Sequence, residues 1–221
     1  MIAIDGPAAS GKSSTAQWVA QRLGIRHVDS GSLYRGLTAL MLRTGISSAD
    51  WTADRLAAEG RRVSLRPEAT SFTVLLDGEA AEEELRGAPV TAHVSQVARM
   101  PEARVWVNAK VREAAANHDV VVDGRDIGTA VFPDAPLKIF LIADPWERAR
   151  RRLIQRLGRR PVDDEIAEET DQIVQRDAKD ATQTVQAADA ILLDTTFLTQ
   201  EEQVERIVAL ARAVTHRPHA T

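Results

Sequence analysis

Apolar residues gather in five short runs: Met1 to Asp5, Ile25 to Asp29, Val120 to Asp123, Leu137 to Ala143 and Ala190 to Asp194. Several are apolar on successive positions, as strands covered on both faces should be. Between them the apolar spacing changes to three and four, and this alternation predicts a parallel sheet with helical crossovers. From Lys12 to Leu23, residues Ala16, Val19, Ala20 and Leu23 share one face before Gly24 stops the pattern, which predicts a helix of about three turns. The last periodic segment opens with Thr199-Gln200-Glu201-Glu202, a capping-box pattern, and then sets Val204, Ile207, Val208 and Ala211 on one stripe. It predicts a docked C-terminal helix with a frayed tail from His216 to Thr221.

Two stretches interrupt this alternation. From Val63 to Glu79 the apolar period falls to two, with Val63 and Leu65, then Phe72, Val74 and Leu76, and a turn signal at Asp77-Gly78. That pattern predicts an antiparallel insert which, with the helix-like stretch after it, covers about residues 61–99. The second interruption runs from Arg148 to Asp180, where seven Arg between 148 and 160 precede six acids between Asp163 and Asp171. By itself it reads as a solvated helical hairpin with paired charges.

With 221 residues, 44% of them hydrophobic, the chain can bury one sizeable core, and a single domain over 1–221 is expected. The formal net charge of -4 argues against a surface built for nucleic acid or anionic lipid, so an anion site has to be local. No apolar run reaches the ~18 residues of a membrane span. Met1 leads straight into Ile2-Ala3-Ile4-Asp5 without a basic leader, so a secreted or membrane protein is not expected. The absence of cysteine excludes disulfides, thiolate metal sites and a cysteine nucleophile, and suits a reducing cytoplasm. Only four of the 28 basic residues are lysines, at 12, 110, 138 and 179, so a lysine at a telling position is informative.

Lys12 holds such a position. Directly after the first strand, Gly6-Pro7-Ala8-Ala9-Ser10-Gly11-Lys12-Ser13 fits G-x-x-x-x-G-K-[ST] and runs into the first helix. Successive backbone N–H groups must curl around a phosphate, and glycine permits the angles and close approach this needs. The helix N-terminus adds positive dipole character. Lys12 suits the β- and γ-phosphates, the Ser13 hydroxyl suits Mg²⁺, and Ser14 completes the donor site. The motif implies nucleoside triphosphate binding without fixing the reaction. A guanine-reading N-K-x-D is missing, since Asn108-Ala109-Lys110-Val111 does not match it.

Three further strings carry a resemblance: Asp29-Ser30-Gly31-Ser32-Leu33-Tyr34-Arg35, Asp123-Gly124-Arg125-Asp126-Ile127-Gly128-Thr129, and Arg176-Asp177-Ala178-Lys179-Asp180. With Val94-Ser95-Gln96-Val97 and Val131-Phe132-Pro133-Asp134-Ala135-Pro136, the ordered set resembles the bacterial cytidylate kinases of the nucleoside monophosphate kinase group, from the first strand to Thr196. The resemblance implies an α/β P-loop kinase fold: a five-stranded parallel sheet flanked by helices, the antiparallel β insert in the monophosphate-binding region, and a helical lid over about 156–185. It implies phosphoryl transfer from MgATP to CMP or dCMP within pyrimidine nucleotide metabolism; a cytoplasmic location is expected from the composition, and a monomer because nothing in the sequence marks a dimer seam.

The same resemblance assigns residues. Ser30, Arg35, Arg125 and Arg176 look like the clamp on the CMP phosphate, Arg176 and Asp180 like ribose contacts, and Tyr34 like a lining residue. Ser95, Arg104 and Asp126 resemble the cytosine readers. Lys12, Arg125 and Arg176 become the catalytic cations. Arg148, Arg152 and Arg156, at i, i+4 spacing, share a helix face that can line the cleft, with Arg152 on the ATP side. Asp123 is a candidate for a Mg²⁺-bound water, a capping role being the other reading. One position departs from the family pattern, where an arginine is common and this chain has Gln183. The five histidines, 27, 93, 118, 216 and 219, lie outside every motif and read as structural or surface residues. The alternatives are a P-loop kinase for another small acceptor such as UMP, and a regulatory P-loop protein that senses nucleotide.

Overall fold

The structure is a computed structural model that describes residues 1–215; the tail from His216 to Thr221 lies outside the described residues. Strands β1 (Ile2–Asp5), β2 (Arg26–Asp29), β6 (Val120–Gly124), β7 (Leu137–Ile142) and β8 (Ile191–Asp194) form the five-stranded parallel sheet, in the order β2-β6-β1-β7-β8. A separate antiparallel sheet holds β3 (Val63–Pro67), β4 (Phe72–Leu76) and β5 (Glu79–Ala80). The helices are α1 (Lys12–Leu23), α2 (Ser30–Arg43), α3 (Ala53–Gly60), α4 (Glu82–Arg86), α5 (Ala88–Arg99), α6 (Pro101–Ala115), α7 (Pro145–Leu157), α8 (Asp163–Asp180) and α9 (Gln200–Thr215). The chain forms two compact units, residues Met1–Leu23 with the chain from Val121, and Gly24–Val120.

In the first unit, β1 lies between β6 and β7, with Ile2 opposite Val121 and Leu137, and Asp5 opposite Gly124 and Phe140. Every residue of β1 and β6 is buried, which explains why these strands read as unbroken apolar runs. Helices α1 and α9 pack on each other and bury Ala16, Val19 and Ala20 on one side and Val204 and Ile207 on the other. A polar link crosses that seam, where Thr15 Oγ1 donates to Gln203 Oε1 at 3.0 Å and accepts from Gln200 Nε2 at 3.0 Å. The predicted capping box forms: the Thr199 N–H donates to Glu202 Oε2 at 2.8 Å, and the Glu202 N–H to Thr199 Oγ1 at 3.2 Å. Helices α7 and α8 pack together over Ala149, Leu153, Ile166 and Ile173. Gly158 turns the chain out of α7 at φ 65°, with its N–H on the Ile154 carbonyl.

In the second unit the period-two segment is the antiparallel β3-β4-β5 sheet, and its turn passes through Asp77 and Gly78, both at positive φ. Helix α2 buries Leu33, Leu37, Leu40 and Met41 and packs on α5 and α6. It also meets β3 and β4 closely at Gly36, where an added Cβ would stand 3.2 Å from Val74 Cγ1 and 3.3 Å from both Leu76 Cδ2 and Val63 Cγ1. Among the described residues no helix is long and apolar enough to cross a membrane.

Three side chains converge on Gly36, so a branched side chain there overpacks the seam. Gly36→Val is expected to lower the unfolding free energy by about 1–3 kcal/mol in urea titration, despite valine's better helix propensity. An unchanged midpoint would contradict the close packing of α2 on this sheet.

Candidate active site

The loop between β1 and α1 begins where the backbone leaves no room for a side chain. Gly6 has φ 154°, and a Cβ on it would lie 2.3 Å from the Leu141 carbonyl oxygen of β7. Gly11, at φ 85°, is required by conformation rather than space, its Cβ position being 3.9 Å from the nearest atom. Ala9 takes φ 56° without being glycine. Lys12 is buried and donates from Nζ to the Pro7 carbonyl at 3.0 Å, across the mouth of the loop. Ser10 is fully buried, and its Oγ has no hydrogen-bond partner among the described residues. Ser14 Oγ donates back to the Gly11 carbonyl at 3.0 Å.

The neighbouring strand delivers the second part of the site. Ser13 Oγ donates to Asp123 Oδ2 at 2.6 Å, joining the start of α1 to the end of β6. A hydroxyl and a carboxylate in contact form a hard oxygen donor set of the kind Mg²⁺ takes beside substrate phosphates. Just beyond β6, Arg125 and Asp126 lead into a single π turn at Ile127–Val131. Arg125 Nη2 lies 3.6 Å from Asp180 Oδ2, and Arg176 Nε lies 3.7 Å from the same oxygen. Two guanidiniums around one buried carboxylate sum to one positive charge in a chain of net negative charge.

Asp5, which pattern reading treated only as the end of a strand, organises this turn. Its Oδ1 and Oδ2 accept from the backbone N–H groups of Ile127 and Gly128, at 2.8 Å each. The residue before the phosphate-binding loop thus holds the chain that follows Arg125 and Asp126. Burial pushes the Asp5 carboxyl up to about 6, with a further push from the Asp126 charge and against the lowering pull of the two N–H donors and Lys12.

Helices α7 and α8 part from the expectation of three arginines lining one cleft. Arg148 is buried, and its Nη1 donates to the Ala8 carbonyl at 2.7 Å and to Asp177 Oδ2 at 2.6 Å. Arg152 and Arg156 instead pair with the buried Glu169, at 3.3 Å and 3.0 Å. Asp177 Oδ1 in turn accepts the Ala8 N–H at 2.9 Å. Gln183 follows α8, with its N–H on the Asp180 carbonyl at 2.9 Å.

The remaining predicted residues lie in the second unit, on helices that pack on one another. Ser30 is buried at the start of α2, which Asp29 caps by accepting from Ser32 N at 3.1 Å and Ser32 Oγ at 2.7 Å. Tyr34 and Arg35 are half-buried on the same helix, and Arg35 Nη1 reaches the Leu85 carbonyl at 2.9 Å and Thr91 Oγ1 at 3.0 Å. Ser95 on α5 and Arg104 on α6 are also half-buried. Of the described histidines, His27 is buried, His93 faces Trp51 at 5.8 Å between ring centroids, and His118 Nδ1 accepts from Arg26 Nη1 at 2.8 Å.

The raised Asp5 pKa gives stability a definite pH dependence. The folded state binds this proton more tightly than the unfolded chain, whose carboxyl titrates near 3.8. The contribution is therefore fully present below that value and fades as pH rises through about 6, by about 3 kcal/mol. Asp5→Asn carries no such proton. The stability of wild type minus that of Asp5→Asn, from urea unfolding, should fall between pH 4 and pH 7; a flat difference would contradict the assignment.

A family model described as cytidylate kinase matches residues 2–213. The cytidylate kinase of Alkaliphilus oremlandii is 40% identical over 217 residues, covering 96% of this chain and 98% of its own length. That of Mycolicibacterium paratuberculosis is 41% identical over 217 residues, covering 96% and 95%. Among solved structures, a shikimate kinase from Bacteroides thetaiotaomicron matches with a TM-score of 0.50 at 16% identity, covering 96% of this chain and 97% of that one, a likeness of fold alone. With a family model spanning nearly the whole chain and relatives at this identity, the protein belongs to the cytidylate kinase family.

Proposed function

We propose that this chain transfers the γ-phosphoryl group of MgATP to CMP or dCMP, giving ADP and CDP or dCDP. The observation that carries the reading is the pairing, within one unit, of a buried-lysine phosphate loop with the Arg125, Arg176 and Asp180 cluster, in a chain of this family. A donor needs the first and an acceptor phosphate the second.

The acceptor is a phosphate monoester, largely dianionic at neutral pH because its second pKa is about 6. No general base is required, in keeping with histidines that lie outside the motifs. What the protein must supply is alignment of two anions and positive charge where they meet. Lys12 and the loop amides hold the donor phosphates, with Ser14 at the start of α1 and with Arg152 turning from Glu169 toward the nucleotide when it binds. Arg125 and Arg176 hold the acceptor phosphate, and Asp180 keeps the two guanidiniums apart and oriented. Ser30 and Arg35 complete the clamp on that phosphate, Tyr34 lines the site, and Ser95, Arg104 and Asp126 read the base. Ser13 and Asp123 would hold Mg²⁺, Asp123 through a water, and the ion supplies charge neutralisation on the donor phosphates when bound. The segment from about 156 to 185 closes over the phosphates and excludes water.

A carboxylate at Asp126 accepts from the exocyclic amine of cytosine and would face the O4 lone pairs of uracil. Rejection of uracil by this means is stronger than an apolar pocket could achieve.

Coupled ADP release, with and without acceptor, tests the reaction. Turnover should depend on CMP, and Lys12→Met should reduce it about a hundredfold or more with every acceptor while leaving the melting temperature within a few degrees. Acceptor-independent turnover would favour the nucleotide-sensing alternative, and dependence on another acceptor the second kinase reading. Asp126→Asn should shrink the CMP over UMP ratio of kcat/KM by roughly tenfold to a hundredfold. Equal losses for the two nucleotides would remove Asp126 from base reading.

A further inference from the structure

We infer that Asp177 and Arg148 are positioning residues for the phosphate-binding loop: together they grip both backbone groups of Ala8, so that α7 and α8 set the shape in which the loop meets the donor phosphates. The inference rests on the kinase reading above and adds residues whose side chains touch the loop itself.

The contact is a closed ring. The Ala8 N–H donates to Asp177 Oδ1 at 2.9 Å, Arg148 Nη1 donates to the Ala8 carbonyl at 2.7 Å, and the same Nη1 donates to Asp177 Oδ2 at 2.6 Å. Ala8 and Arg148 are both buried. A buried ion pair is a poor source of net stability, because desolvating the two charges offsets most of their attraction. Its geometric effect is specific here, since it fixes one peptide unit of the loop from both sides.

The next residue explains why that unit has to be held. Ala9 sits at φ 56°, a left-handed conformation that costs a non-glycine residue about 1–2 kcal/mol. Its methyl packs against the Ala149, Leu153, Ile166 and Ile173 cluster between α7 and α8. Two successive loop residues are therefore held by the same helix pair, one through polar groups and one through apolar contact. Without that hold, Ala9 has a lower-energy conformation to relax into, and the amides that follow would turn with it. Because Asp177 already takes the Ala8 N–H, Ala8 belongs to the scaffold, and the donor phosphates are left to the amides from Ala9 to Ser13. Helix α8 also carries Arg176 and Asp180, so the element that grips the loop bears part of the acceptor-side cluster as well.

Binding of MgADP and of CMP, each measured by calorimetry, together with hydrogen exchange of residues 6–13, tests the inference on Asp177→Ala, Asp177→Asn and Arg148→Lys. In Asp177→Ala, MgADP should bind about tenfold or more weakly, CMP binding should stay within threefold, and the loop amides should exchange faster than in wild type. Asp177→Asn keeps an acceptor for Ala8 but loses the charge facing Arg148, and should fall between the two. Wild-type MgADP affinity and loop protection in Asp177→Ala would overturn the inference. So would equal weakening of MgADP and CMP with unchanged loop exchange, which would place the effect on α8 instead. If Asp177→Ala does not fold, the same readings on Asp177→Asn and Arg148→Lys decide the matter, and wild-type behaviour of both overturns it. A wild-type enzyme without CMP-dependent ADP release would end the kinase reading, while MgADP binding and loop exchange would still judge the clamp separately.

Discussion

At Gly6 the backbone of the phosphate loop lies so close to the Leu141 carbonyl that a methyl group would stand 2.3 Å from the oxygen. That approach lets the chain leave β1 beside Leu141 of β7 and present successive amides before α1 begins. The rest of the first unit builds on it. Lys12 can cross the loop mouth to Pro7, and Ser13 comes within 2.6 Å of Asp123 because β1 and β6 are paired in register up to Asp5 and Gly124. Asp5 then holds the turn behind Arg125 and Asp126 from the residue just before the loop. Shape at one glycine and pairing along two strands thus decide where the charged groups stand.

The electrostatics follow the same economy. The chain is net negative, yet Arg125 and Arg176 share one carboxylate, and Lys12 stands within the loop. Elsewhere arginines are also paired locally: Arg159 with Glu165 one to one, while Arg152 and Arg156 share Glu169 and Arg150 and Arg151 share Glu147, each of these two sets keeping one positive charge in excess. The arginine-rich segment after β7 is therefore mostly a paired helix surface, and a small part of it bears on the loop.

Much of this could be read along the chain. The five strands, α1 and the capped α9 follow from apolar period and local caps, signals that need only neighbouring residues. The loop was legible because its chemistry demands glycines, a lysine and a serine at fixed spacing. Asp5 and Asp177 were not legible as site residues, nor Arg148 as a partner of the loop, since their partners are 122 to 169 positions away and no spacing rule spans such distances. Arg148 shows the limit: spacing placed it with Arg152 and Arg156, but the position nearest the start of α7 reaches both the loop and Asp177 while the next two reach Glu169. A weak hint existed at Asp5, an acid closing a strand that is otherwise wholly apolar.

The most direct test of the central claim is a crystal structure with a non-hydrolysable ATP analogue and Mg²⁺. The account predicts the β- and γ-phosphates on the amides between Ala9 and Ser13, with Lys12 Nζ moved from the Pro7 carbonyl onto them and the Gly6 backbone still against Leu141. Phosphates bound away from these amides, with Lys12 still on Pro7, would contradict it.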